Sequence, residues 1–201
     1  MRLLRLIYCV VVLFISAAAL TQPTEAATPT TKITVQSVVP PSPGCHSDWC
    51  EKVRTLAAVV RWADRSLIAA KHEHSPLRQD LAGIVRASRD EGISPFFLLS
   101  IAGKESTFGR AACGYNAWGW NSCKGDDFTS FVDGARKVAH SLRVNYLGKW
   151  GLRTIEAVGN TYCGSRCGAD WSYYVRLFMD DIFHAGDGLR WQDAVAVVRA
   201  R

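Results

Sequence analysis

The 201-residue chain lacks most of the short signatures that announce a chemistry. No Cys-x-x-Cys spacing occurs, and the five histidines (46, 72, 74, 140 and 184) complete no tetrahedral ligand pattern, which argues against a zinc site. Lys and Arg form no cluster of five, so the basic footprint of a nucleic-acid binder is missing. No Gly-x-Ser-x-Gly turn and no matching His accompany a serine, which removes the usual setting of a serine nucleophile. No alternating apolar run is long enough for a strand, and no segment repeats. A mainly α domain is what these absences leave.

What is present begins with a segment shaped for export. Arg2 and Arg5 precede the apolar run Leu6 to Ile15, and small residues follow at Ala17 to Ala19, with a second cleavage point at Thr24-Glu25-Ala26. Residues 1–26 read as a signal peptide; an uncleaved N-terminal anchor is the alternative, although the run is short for a membrane span. Cys9 lacks the small residues expected before a lipidated cysteine. Residues 27–44 are rich in Thr, Ser and Pro and read as a linker stiffened by Pro40, Pro41 and Pro43.

Cysteine usage agrees with export. Setting Cys9 aside leaves six, and the simplest pairing joins Cys45–Cys50, Cys113–Cys123 and Cys163–Cys167, each bracketing a loop. Once Arg2, Arg5 and Glu25 are set aside with the signal, 22 Lys+Arg stand against 17 Asp+Glu, a net charge of +5. A basic exported protein suits an anionic partner such as a cell wall. Hydrophobic residues at 48% and charged residues at 21% place the chain among folded globular proteins.

From residue 45 the pattern is helix after helix. Over 48–74, Val53, Leu56, Val60, Ala63, Leu67 and Ala70 share one face, giving an N-terminal helical extension over 45–74. Residues 75–185 form the main domain. Ser75-Pro76 opens a helix that Gly92 closes, and Ser94-Pro95 repeats that opening for "SPFFLLSIAGKES". A loop from Thr107 to Asp127 holds the Cys113/Cys123 pair and most of the polar-aromatic residues; so long a loop is usually functional. "TSFVDGARKVAHSLRVNYL" then turns Phe131, Ala135, Val138, Leu142 and Tyr146 inward. Thr154 caps a short helix to Tyr162, and a further helix faces Trp171, Tyr174, Val175, Phe178 and Ile182 inward. Residues 186–201 read as a last short helix or tail from Trp191.

The chemistry is expected at Glu105. Leu98, Ile101, Ala102 and Glu105 follow at spacings of three, one and three, so a carboxylate shares an apolar stripe. Lost solvation disfavours the anion there, and so does the negative end of the helix dipole. Both keep the group protonated near neutral pH, the state a general acid needs to protonate a glycosidic oxygen. The competing reading is a Glu paired with Lys104 or Arg110. Its sequel, "GYNAWGWNS", sets amides beside flat rings, the mixture that sugar recognition needs.

"ISPFFLLSIAGKESTFG…YNAWGW" resembles the lysozyme-like superfamily, and among it the bacterial lytic transglycosylases and glucosaminidase-type peptidoglycan hydrolases. Glu105-Ser106, Gly109 and Asn116-Ala117-Trp118-Gly119-Trp120 carry the likeness, with Tyr162 the counterpart of a cleft-lining Tyr. It spans roughly Ser75 to Phe183. The transglycosylase Gly-Leu-Met-Gln is replaced by Trp118-Gly119-Trp120, and its Ala-Tyr-Asn is only echoed by Thr161-Tyr162-Cys163, which leaves the bond cut and the product open. The resemblance implies a lysozyme-like helical domain that cleaves peptidoglycan glycan strands without cofactor or metal, as a monomer. Ser106, Tyr115, Asn116, Trp118, Trp120 and Tyr162 would shape its cleft. A wall-binding module without catalysis is the alternative.

The subtype turns on a second carboxylate, which an inverting hydrolase needs and a transglycosylase does not. Asp126, Asp127 and Glu156 are the candidates, against their plainer readings as helix-capping and first-turn charges. Trp118 is expected to line the cleft, with Trp120 evenly balanced between cleft and loop anchor. Trp62, Trp150, Trp171 and Trp191 are expected in the core or helix seams, and His72 and His74 at the surface.

Overall fold

Helix α3, Pro95–Ser106, is the axis of the structure, a computed structural model that describes residues 48–124 and 128–194, with side chains from residue 56 onward. Ser94 caps it by accepting a hydrogen bond from the Phe97 amide (3.3 Å), and Pro95 occupies the first helical position. Ten of its twelve residues are buried, because a helix apolar on every side has to be surrounded. Phe96, Phe97, Leu98, Leu99 and Ile101 each contribute ~1.5–3 kcal/mol of burial there. Only Lys104 and Glu105 keep access to solvent.

The surrounding helices are α1 (Asp48–Ala69), α2 (Leu77–Asp90), α4 (Phe131–Ser141), α5 (Ile155–Tyr162) and α6 (Gly168–Leu177). α4 runs on as a π-helix, Leu142–Lys149, and α6 as a second, Phe178–Ile182. Among the described residues there is no strand, as expected for a mainly α chain. None of their helices is long and apolar enough to cross a membrane. The signal and linker at 1–44, Cys45 and the side chain of its expected partner Cys50, Asp126, Asp127 and the tail beyond residue 194 lie outside the described residues.

Local signals set most boundaries. Thr154 and Ser130 cap α5 and α4 by accepting from the Ala157 and Asp133 amides, each at 3.1 Å. α2 begins at Leu77, so Pro76 is its cap residue rather than its first helical one; Ser75 Oγ accepts from the Leu77 amide and donates to Phe108 O (2.7 Å). Gly92, with φ +67°, ends the corner after α2. All five residues expected to face inward from 131 to 146 are buried.

Elsewhere the expected faces are corrected. α1 buries Val59, Ala63 and Leu67, while Val60 and Ala70 sit at its half-buried edge. The last helix buries Trp171, Val175, Met179 and Phe183; Tyr174 is exposed, and Phe178 and Ile182 are half-buried. That stripe repeats every four residues, a spacing that stays aligned on a chain whose later turns are π-helical. Trp150, expected in the core or a helix seam, is 47% exposed. His72, expected at the surface, packs against Phe108 (ring centroids 4.6 Å), and burial followed by the Arg110 charge lowers its pKa. Trp62 does serve a seam, its Nε1 donating to Phe183 O across 2.8 Å.

Candidate functional site

The end of α3 positions the site. Thr107 and Phe108 turn left-handed (φ 52° and 56°), and their amides return to Gly103 O and Ala102 O, each at 3.0 Å. Phe108 drops into the core, fully buried, and fixes the direction in which Glu105 and Ser106 leave the helix. Ser106, almost fully buried, lies 2.6 Å from Ala117 O and accepts from the Gly109 amide at 2.9 Å. It ties the following loop back onto α3.

The loop itself is held from inside. Asn116 grips Trp120 at both backbone atoms: its Oδ1 accepts from Trp120 N (3.0 Å) and its Nδ2 donates to Trp120 O (2.8 Å). Trp118 is 0% exposed, its Nε1 donating to Leu98 O at 3.0 Å. Tyr162 Oη donates to Trp118 O at 2.7 Å. Cys113 and Cys123, which bracket the loop, stand at disulfide distance, as do Cys163 and Cys167 beside Tyr162.

These supports lay Gly119 directly over Glu105. A Cβ on Gly119 would come 2.5 Å from Glu105 Oε2, so only glycine leaves that oxygen its place. On its other side Oε1 accepts a hydrogen bond from Trp171 Nε1 at 2.7 Å. Glu105 has no ion-pair partner among the described residues: Lys104 pairs with Asp170 at 2.7 Å and lies over the Tyr174 ring. Burial raises the Glu105 pKa above the ordinary carboxyl value, and the Trp171 hydrogen bond and the Lys104 charge oppose it. The raised acid expected from the helix stripe is thus reproduced in direction by the packed structure.

Beside this carboxyl lies a groove of about 250 Å³, lined by Gly119, Trp120, Asn121, Ser122, Tyr146 and Tyr162. Its rings touch one another. Trp120 is 5.6 Å from Tyr162 and 6.3 Å from Tyr146, and Tyr162 is 5.1 Å from Trp171, centroid to centroid. Tyr162 therefore joins the groove wall to the indole that holds Glu105. Burial, the Glu105 charge and Tyr146 all push the Tyr162 phenol well above its ordinary pKa, keeping it a neutral donor. The loop at the groove is strained: Asn121 and Ser122, which line it, and the following Cys123 hold φ of 51°, 52° and 60°, where side chains are disfavoured. Such left-handed runs concentrate at functional loops.

The expected site residues divide sharply. Trp120 and Tyr162 line the groove. Ser106, Asn116 and Trp118 do not face it; they are buried and hold its loop, which corrects the expectation that Trp118 lines the cleft. Tyr115 is 47% exposed but packs edge-on against Phe131 (5.2 Å), outside the groove lining. Glu156 is bound by Arg176, which also holds Asp187; that contact lowers the Glu156 pKa and makes it a cross-link between helices. Tyr146 and Trp171, both read as core, join the site. The only sequence hint of the first was its spacing of four from Trp150; nothing local marks the second.

A larger hollow, about 300 Å³, lies between α1 and the second π-helix and is lined by Trp62, Arg65, Asp181, Ile182 and His184. Its lining carboxyl, Asp181, is exposed. The half-buried Glu105, though not itself a lining residue of the smaller groove, lies against Gly119, which is, so the smaller groove is the better candidate for chemistry. Comparison of the chain with protein-family models, with curated proteins and with solved structures gives no match.

Proposed function

We propose that this protein cleaves the glycan strands of peptidoglycan at β-1,4 bonds between N-acetylglucosamine and N-acetylmuramic acid, with Glu105 as general acid. The single observation that carries the reading is the Glu105 carboxyl: half-buried, without an ion-pair partner among the described residues, hydrogen-bonded by Trp171, and set beside an aromatic groove. A module that only binds wall glycan, the alternative, has no use for a desolvated acid.

In the reaction the protonated Glu105 donates its proton to the glycosidic oxygen as the bond from that oxygen to the sugar C1 breaks. The bonding electrons leave with the oxygen, and positive charge develops at C1 and the ring oxygen. General acid help of this kind is worth roughly 10²–10⁴ in rate. The resulting Glu105 carboxylate keeps its hydrogen bond from Trp171 Nε1. It then recovers a proton from the hydroxyl that closes on C1, either from water or from the sugar itself. Glu156 is engaged by Arg176, which takes one of the three candidate second carboxyls out of the reaction. Trp120 and Tyr162, the half-buried rings of the groove, supply the faces on which sugar rings stack.

The wider setting follows the same reading: an exported, wall-associated, lysozyme-like monomer of net charge +5 once residues 1–26 are set aside, working without cofactor. Digestion of purified peptidoglycan with mass analysis of the soluble fragments tests it. New glycan ends, either reducing or anhydro, are expected; fragments cut only in the peptide stems would contradict it.

A further inference from the structure

Trp150 stands where a core or helix-seam residue was expected and is instead 47% exposed. It follows the π-helix Leu142–Lys149 directly, four residues after Tyr146, and the two rings meet edge to face at 4.9 Å. Tyr146 in turn lines the groove and faces Tyr162 at 6.0 Å. The rings thus form a continuous chain of contacts that begins at the exposed Trp150, runs through the buried Tyr146 and half-buried Tyr162, and ends at the buried Trp171 indole that holds Glu105.

The outer end of these contacts is built to stay in place. The Trp150 amide donates to Asn145 O and the Leu152 amide to Tyr146 O, each at 2.9 Å. Arg153 Nη1 donates to Leu147 O at 2.5 Å and to Leu152 O at 2.9 Å, closing the carbonyl end of the π-helix. Leaving a large indole half in water forfeits the burial it could have gained. A platform whose own amide is bonded and whose flanking turn is held by three further hydrogen bonds, while its ring stays open, is already organised for a flat ligand, which spares the ordering penalty of binding.

We propose that Trp150 is a sugar-stacking platform outside the main groove, so that the substrate is a glycan long enough to run from Glu105 past Tyr146. This rests on the glycan-cleaving reading and adds a length requirement and a residue that sets it. A short oligosaccharide fills the groove without touching Trp150; a longer one reaches the indole and gains a further ring contact.

The test measures binding of N-acetylglucosamine oligomers, from the disaccharide upward, to the full chain carrying Glu105→Gln, which removes turnover. Affinity should rise with length. Adding Trp150→Ala should weaken the longest oligomers about threefold to tenfold, the value of one aromatic stacking contact, and leave the disaccharide unchanged. Trp150→Phe, which keeps a flat ring, should restore part of the loss. An unchanged length profile in Trp150→Ala overturns the proposal while leaving the glycan reading standing. Equal weakening at every length overturns it too, because Trp150 would then act by supporting the groove. Failure of the Glu105→Gln protein to bind any oligomer overturns both. Loss of retention on anionic lipid vesicles in Trp150→Ala, with sugar binding unchanged, would assign the indole to a lipid surface instead.

Discussion

Trp171 Nε1 and Glu105 Oε1 meet at 2.7 Å across 66 residues of sequence, joining the last turn of α3 to α6. The contact works against burial. Desolvation favours the neutral acid, whereas the indole N–H favours the anion that remains after the proton has left. A group poised between these influences can give up a proton and take it back.

Replacing Trp171 by Phe therefore has a signed consequence. Losing the N–H removes a contact that lowers the Glu105 pKa, so the pKa rises further. The alkaline limb of the pH–rate profile, where the acid loses its proton, should move to higher pH. The rate should drop by roughly tenfold as the carboxyl loses its fixed orientation. Profiles for wild type and Trp171→Phe check both; a limb moving to lower pH contradicts the assignment.

Stability carries the same signature. Because burial raises Glu105 above its unfolded value, the native state binds the proton more tightly, and stability falls as pH rises from the ordinary carboxyl range, about 4.3, through the raised value. Glu105→Gln removes that penalty. Thermal unfolding should show the variant more stable than wild type near neutral pH, with the gap closing below about pH 4.

Gly119 is the second constraint on the acid. Alanine there must hold φ +61° and place its Cβ 2.5 Å from Glu105 Oε2. Gly119→Ala should lose at least tenfold in glycan cleavage and ~1–3 kcal/mol in stability, measured by denaturant unfolding. Activity close to wild type would show that the carboxyl does not need the space beneath residue 119.

The two tryptophans of the loop should separate cleanly. Trp118 is fully buried, so Trp118→Ala should destabilise the fold by ~3–5 kcal/mol. Trp120 lines the groove, so Trp120→Ala should weaken oligosaccharide binding several-fold with a smaller loss of stability. Unfolding midpoints and binding isotherms on both variants distinguish a loop anchor from a ligand contact.

What could be read from the sequence was what local chemistry decides. Ser94 and Thr154 cap helices because their own hydroxyls meet amides three residues on, whereas the cap of α4 is Ser130 and not the preceding aspartates. The inward face from Phe131 to Tyr146 follows from spacing alone; α3 is buried on every side, so the cover over Glu105 comes from Gly119 and Trp171 and not from one stripe. The rest depends on partners far along the chain. Trp118 and Trp120 are two residues apart in a loop, and which one turns inward is settled by Leu98 O and by the grip of Asn116 on Trp120. The π-helical turns carry no local mark; the four-residue repeat of Trp171, Val175, Met179 and Phe183 shows their effect only once the packing is known. Trp171 reads as an ordinary core residue until α3 and α6 meet.

The most direct measurement compares initial rates of soluble glycan release from purified peptidoglycan by wild type and Glu105→Gln, with binding to the insoluble wall followed in parallel. Glu105→Gln should bind the wall as wild type does and release fragments at least 10²-fold more slowly, the smallest effect expected for a lost general acid. Release at the wild-type rate would remove Glu105 from the chemistry and the proposed mechanism with it.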